Sequence, residues 1–193
     1  MPFVGHVRDN AVLRTDGSVM GMLRLVGAPF ALEDHARRNS RHRFRNAVLR
    51  NIADDTLTVV ETMVRHDGVA PLPAGAYRSA FAADLENTYR REVLAGRERV
   101  NEWFVSVIVT PRAPVTRGLN ALRSRMGRKK EAAATTASDE LIRTLDDRML
   151  VLSKAYAEMG PVRLGVREAG GVLFSEIAEA LRLFLTARFL PVP

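Results

Sequence analysis

The side chains best suited to bind a metal or carry a proton are thinly spread along this chain. Four histidines stand at His6, His35, His42 and His66, and there is no cysteine, so neither a disulfide framework nor a thiolate metal site can form. His35 and His42 lie two helical turns apart, too far to chelate one ion without other ligands, and they read as solvated or capping groups. Asp54-Asp55 imitates a catalytic carboxylate pair, yet adjacent acids between a helix and a strand form a turn. Ser106 and Ser175 stand in no G-x-S-x-G elbow, and no histidine lies near them in sequence. Glu61 shares a strand face with Leu57, Val59 and Met63, which makes it an edge position or a partly buried carboxylate paired with arginine. A phosphate-cradling loop needs G-x-x-x-x-G-K-[ST], so that backbone amides and the lysine converge on the phosphates. Gly127-Arg128-Lys129-Lys130 comes nearest and lacks both the paired glycines and the hydroxyl residue. The residues therefore predict no catalytic set, no metal site and no cofactor site in this chain.

What the chain does have in quantity is positive charge. Its net charge is +7 with a pI near 10.6, and only Lys129, Lys130 and Lys154 are lysines, the other basic residues being arginine. Such a balance points to an anionic partner: nucleic acid, a lipid surface or an acidic protein segment. The densest run is Arg112, Arg117, Arg123, Arg125, Arg128, Lys129 and Lys130, with no acid before Glu131, followed by a tract of alanine, threonine and serine. That composition predicts an exposed, mobile insertion at about 112–138 that contacts an anionic membrane or partner, with Leu119, Leu122 and Met126 adding an apolar stripe if the segment is helical. A phosphate-binding arm for nucleic acid is the alternative reading.

The elements that must carry these groups follow from periodicity. Ala11–Arg14 and Val19–Leu25 flank Thr15-Asp16-Gly17-Ser18, a hairpin signal whose glycine accepts positive φ. Asp34 caps a helix to about Ile52, with Phe44, Ala47, Val48 and Ile52 as its apolar stripe and a basic remainder read as solvated. Thr56–Val64 is rich in β-branched residues, and Trp103–Thr110 is apolar on both faces, the mark of a central strand. Between them Phe81, Leu85, Tyr89 and Val93 recur every fourth residue, predicting a helix over about 77–95. A further helix runs from about Asp139 to Gly160, with Leu141, Leu145, Met149, Leu152 and Tyr156 on one side. One strand over Val162, Leu164 and Val166 turns at Ala169-Gly170-Gly171 into a last helix lined by Ile177, Leu181, Phe184 and Leu185, with Glu179 on the other side. The expected architecture is one α+β domain over 1–193: a mixed, mainly antiparallel sheet of about five strands with helices on one face and a basic insertion. The longest apolar stretches fall far short of the roughly 20 residues that cross a bilayer, and the N-terminus lacks a signal-peptide pattern, so a cytoplasmic protein is expected.

The stretch from Phe3 to Leu13, then Asp16-Gly17-Ser18 and Leu23-Arg24-Leu25-Val26-Gly27, resembles the start of the CagE/TrbE/VirB-family secretion ATPases. His35–Asn39, Asn46–Asp54, Val64-Arg65-His66, Tyr89, Asn101-Glu102-Trp103-Phe104 and Val107-Ile108-Val109 continue that family's N-terminal pattern in order over about residues 3–111. The resemblance implies a non-catalytic docking and assembly domain of a type IV secretion ATPase, peripheral at the cytoplasmic face of the bacterial inner membrane. Its implied partners are inner-membrane secretion subunits, with self-association in the full-length ATPase. It further implies that ATP and Mg belong to a RecA-like motor domain of the parent protein, that this motor is absent here, and that the chain is an excised domain which does not itself hydrolyse ATP.

Overall fold

The computed structural model describes residues 3–27, 33–67, 75–94, 99–112, 130–188 and 190–192, with the backbone alone at 67, 93–94 and 130–138. Strands β1 (Phe3–Arg8), β2 (Ala11–Arg14) and β3 (Val19–Leu25) open the chain, followed by α1 (His35–Ile52), β4 (Leu57–Asp67), α2 (Ala80–Leu94) and β5 (Arg99–Val109). Helix α3 (Lys130–Ala155) ends in a 3-10 turn (Ala157–Met159), and β6 (Pro161–Arg163), β7 (Val166–Ala169), β8 (Val172–Ser175) and α4 (Glu176–Thr186) complete the order. The main sheet runs β1-β2-β3-β5-β4, with β6 also paired to β3, and β7-β8 form a separate hairpin. Each of these pairings is antiparallel.

The expected hairpin is present with its residues as read. Gly17 takes φ +82°, and the Asp16 carboxylate accepts from both the amide (3.0 Å) and the hydroxyl (2.5 Å) of Ser18, closing the turn. The Ser18 bonds also hold the Asp16 carboxyl below the usual carboxylate range. β5 lies between β3 and β4, and Phe104 to Val107 are all buried, as two-sided apolarity requires.

The two faces of the sheet carry different helices. Val19, Leu23 and Leu25 of β3 and Val105, Val107 and Val109 of β5 meet Ile142, Leu145, Met149, Leu152 and Tyr156 of α3, with Ile52 of α1 closing the edge. The alternate residues Met20, Met22 and Phe104 meet Ile177, Ala180 and Leu183 of α4 on the opposite face. Helices thus cover both faces, not one as expected, because β3 and β5 are apolar on both sides and each side must be buried. Gly21 makes the closest approach possible: a Cβ there would lie 3.4 Å from Met149 Cε and 3.5 Å from Leu145 Cδ2.

Three other expectations are corrected. Helix α3 starts at Lys130, not near Asp139, so residues 130–138 of the anticipated mobile segment are helical. The single strand over 162–166 is two strands, β6 and β7, separated at Leu164 and Gly165, and Gly170-Gly171 turns β7 into the unanticipated β8. On α4, Leu185 is exposed while Glu179 is 2% exposed, because Arg167 (2.8 Å) and the Val192 amide (3.3 Å) satisfy its carboxylate.

Candidate functional site

A cleft of about 910 Å³ opens between α1 and the C-terminal end of α3. Its floor comes from three neighbouring strands and the segment after α3: Leu25 at the end of β3, Met63 within β4, Trp103 within β5, then Tyr156 and Met159. Its wall is α1, which starts where the Asp34 carboxylate accepts from the Ala36 amide at 2.6 Å. Arg37, Arg41 and Arg45 recur every four residues and so point along one side of that helix, with Phe44 beside them.

The charges in the cleft are unevenly matched. The Arg41 Nε donates to Glu158 at 2.7 Å and its terminal nitrogens reach Glu33, contacts that raise its guanidinium above an already high range, the bond to Glu158 most of all. Arg45 Nη1 lies 3.6 Å from Glu61, whose other oxygen accepts from the Tyr156 hydroxyl at 2.5 Å. Burial and then the Glu61 bond push the Tyr156 phenol well above its usual range, so it stays a donor. Arg37 is 69% exposed and only loosely placed, at 3.7 Å from Glu33 and 3.9 Å from Glu158. Arg38 and Lys154 are exposed at the rim, and the buried Nε of Arg45 has no hydrogen-bond partner. Against Arg37, Arg38, Arg41, Arg45 and Lys154, the described lining supplies the carboxylates of Glu33 and Glu158 alone.

The basic residues singled out from sequence fare differently. Arg112 is exposed and drawn to the Asp54-Asp55 turn, 3.4 Å from Asp54 and 4.0 Å from Asp55. Arg117, Arg123, Arg125, Arg128 and Lys129 lie outside the described residues, and Lys130 opens α3 with its side chain likewise outside them. The Asp54 carboxyl is held well below the usual range, first by its bond with Asp55 and then by the Thr56 amide and hydroxyl, which fits a turn and not a proton carrier. The basic face of α1, read as solvated, is the charge that the structure gathers. The four-residue spacing of Arg37, Arg41 and Arg45 was the available signal, but nothing in sequence placed Glu158 opposite it.

Glu61 is the partly buried, arginine-paired carboxylate that its strand position allowed. Ser175 does meet a histidine from far along the chain: His6 Nε2 lies 2.7 Å from Ser175 Oγ, and His6 Nδ1 is 3.1 Å from the Arg8 carbonyl. The serine oxygen, however, accepts from the Ala178 amide at 3.1 Å and caps α4. His35 bonds to Arg38, and His42 to Arg45 and Asn46. Among the described residues no three His, Asp or Glu side chains gather as metal ligands, and no helix is long and apolar enough to cross a membrane.

Two comparisons with known proteins bear on this geometry. Residues 10–116 match the family model described as the type IV secretion system ATPase VirB4/TrbE, N-terminal domain. The whole chain is similar to Protein virB4 of Agrobacterium fabrum (44% identical over 193 residues) and of Rhizobium radiobacter (39%), and to the type IV secretion system protein virB4 of Bartonella henselae (25%). In each case the alignment takes in all of this chain and 24% of the relative, so the chain spans about a quarter of the length of these proteins.

Proposed function

Because the chain belongs to the VirB4/TrbE family of type IV secretion ATPases, as its N-terminal domain, we propose that it is a non-catalytic docking and assembly domain that seats the ATPase on inner-membrane secretion subunits. The observation that carries this reading is the cleft itself: an apolar floor under a rim with surplus cations, whose α1 wall and strand residues lie in the stretch that the family model matches and whose far side, Lys154 to Met159, lies beyond it. Such a surface suits the binding of another molecule. ATP and Mg belong, on this reading, to a motor elsewhere in the parent protein, which transports protein or DNA across the envelope. The cytoplasmic face of the inner membrane is the place where such docking occurs.

The basic run from Arg112 to Lys130 supports the same placement, since each Lys or Arg near an anionic leaflet contributes about 1 kcal/mol of attraction. Replacing Arg123, Arg125, Arg128, Lys129 and Lys130 with Gln reduces flotation with anionic liposomes and leaves the thermal midpoint nearly unchanged. Equal flotation of both proteins removes the membrane role of that segment.

The docking role is tested by co-expressing the tagged chain with the inner-membrane subunits of a matching secretion system and cross-linking in cells. The chain is expected in the membrane fraction, cross-linked to those subunits, only when they are present. The same distribution in their absence refutes docking. A steep loss of affinity for DNA with rising salt, alongside no cross-linking, would favour a nucleic-acid arm instead.

A further inference from the structure

The cleft between α1 and the end of α3 has a composition that selects its occupant, and here the docking reading above is taken as given. We infer that it receives an acidic peptide segment of a partner protein, one that places an aromatic or aliphatic side chain between carboxylates. The apolar part follows from the floor. Trp103 is partly buried, Met63 is 61% exposed and Phe44 57% exposed, so a substantial apolar surface faces into a concave space of about 910 Å³, the size that side chains or ligands fill.

The acidic part follows from the rim. Five cations stand against two carboxylates in the described lining, and Arg38 and Lys154 are both at the surface where an incoming segment meets them first. Arginine of the lining already engages carboxylates: Arg41 joins Glu33 to Glu158, and Arg45 approaches Glu61 from outside the lining, which offsets one of the five cations and leaves Arg37, Arg38 and Lys154 as the more exposed ones. The planar guanidinium fork matches a carboxylate, so further carboxylates extend a pattern the site already uses. The concave shape favours a side-chain-bearing segment over a flat bilayer surface.

Trp103 is the only tryptophan in the chain, and it lies in this cleft, which provides a reporter without labelling. The probes are acetyl-Glu-Glu-Phe-Leu-Glu-Glu-amide and its counterpart with every Glu changed to Gln, titrated into the 193-residue chain by Trp103 emission and by calorimetry. The acidic peptide is expected to give a saturable signal that weakens with salt, with the Gln peptide at least tenfold weaker. The double variant Arg38→Glu, Lys154→Glu changes two exposed side chains and is expected to lose at least tenfold in affinity with an unchanged thermal midpoint. Equal binding of the two peptides, equal binding by the variant, or no saturable signal in either measurement overturns the inference. So does an emission change that follows chain concentration alone, which gives the cleft to a second copy. A change produced by Phe30→Ala with no response to peptide gives it to residues 28–32 and overturns it as well. A chain that cross-links to membrane subunits in cells but ignores the acidic peptide keeps its docking role and loses this assignment.

Discussion

Arg167→Met tests how α4 is held to the rest of the domain. Glu179 is 2% exposed, and its carboxylate accepts from Arg167 at 2.8 Å and from the Val192 amide at 3.3 Å. Methionine keeps most of the stem and its packing beside Phe174, over whose ring the guanidinium sits at 4.8 Å, but it removes the charge. Breaking a buried pair from one side costs about 3–5 kcal/mol, because the other charge is left without a partner. Arg167 is itself 39% exposed, so water reaches one side of the pair and the cost falls to about 2 kcal/mol. For a chain of this size that is a drop in thermal midpoint of about 4–8 °C. Glu179→Gln retains an acceptor for the Val192 amide and leaves Arg167 a route to solvent, so it costs about 1 kcal/mol. Urea unfolding of both single variants and the double variant gives the coupling, expected at about 1–2 kcal/mol with unchanged m values. If Arg167→Met stays within about 0.5 kcal/mol of the native chain, or the two substitutions simply add, the pair does not fasten α4.

At Gly21, alanine places its Cβ at ordinary contact with Met149 and Leu145 and is tolerated, whereas leucine overpacks the α3 interface at about 1–3 kcal/mol, as a denaturation series will show. The Tyr156 phenol has its folded-state pKa raised, so its contribution is complete below the unfolded value of about 10 and declines as pH rises beyond it. Tyr156→Phe is therefore expected to be about 1 kcal/mol less stable at neutral pH and to lose less than the native chain above pH 10, read by urea midpoints. The isolated chain is expected to neither bind nor hydrolyse ATP, since its sequence holds no G-x-x-x-x-G-K-[ST] run, and saturable micromolar binding by calorimetry would contradict this.

Much of the fold was legible because local pattern and tertiary role agreed. The hairpin from Ala11 to Leu25, the interior strand around Phe104 to Val109 and the stripe from Leu145 to Tyr156 all carry a period that survives in the structure. Where the reading failed, burial was decided by partners distant in sequence. Phe81, Leu85 and Tyr89 have the spacing of a core-facing stripe yet remain 76%, 59% and 53% exposed, since α3 and α4, not α2, cover the central strands β3 and β5. Phe44 likewise stays exposed while Leu49 and Ile52 turn α1 inward. Glu179 reads as a surface acid until Arg167 is brought across from β7. The cleft was hidden for the same reason: α1, single residues of three strands and the turn at Glu158 share no local motif, and only topology joins them.

One edge of β3 is used twice. Its first residues pair with β2, where Met20 faces Val12, and its last residues pair with β6, where Leu25 faces Pro161, while β5 takes the other edge along its whole length. During synthesis, therefore, the hairpin emerges with one edge of β3 unspent until β5 follows it, more than 70 residues later, and with the end of the other edge unspent until β6 follows in turn. Loop closure over such separations is slow, and an apolar, half-paired strand is open to other chains in the interval. Recombinant production of this domain should accordingly gain more from slower translation or lower temperature than from substitutions that strengthen the finished core.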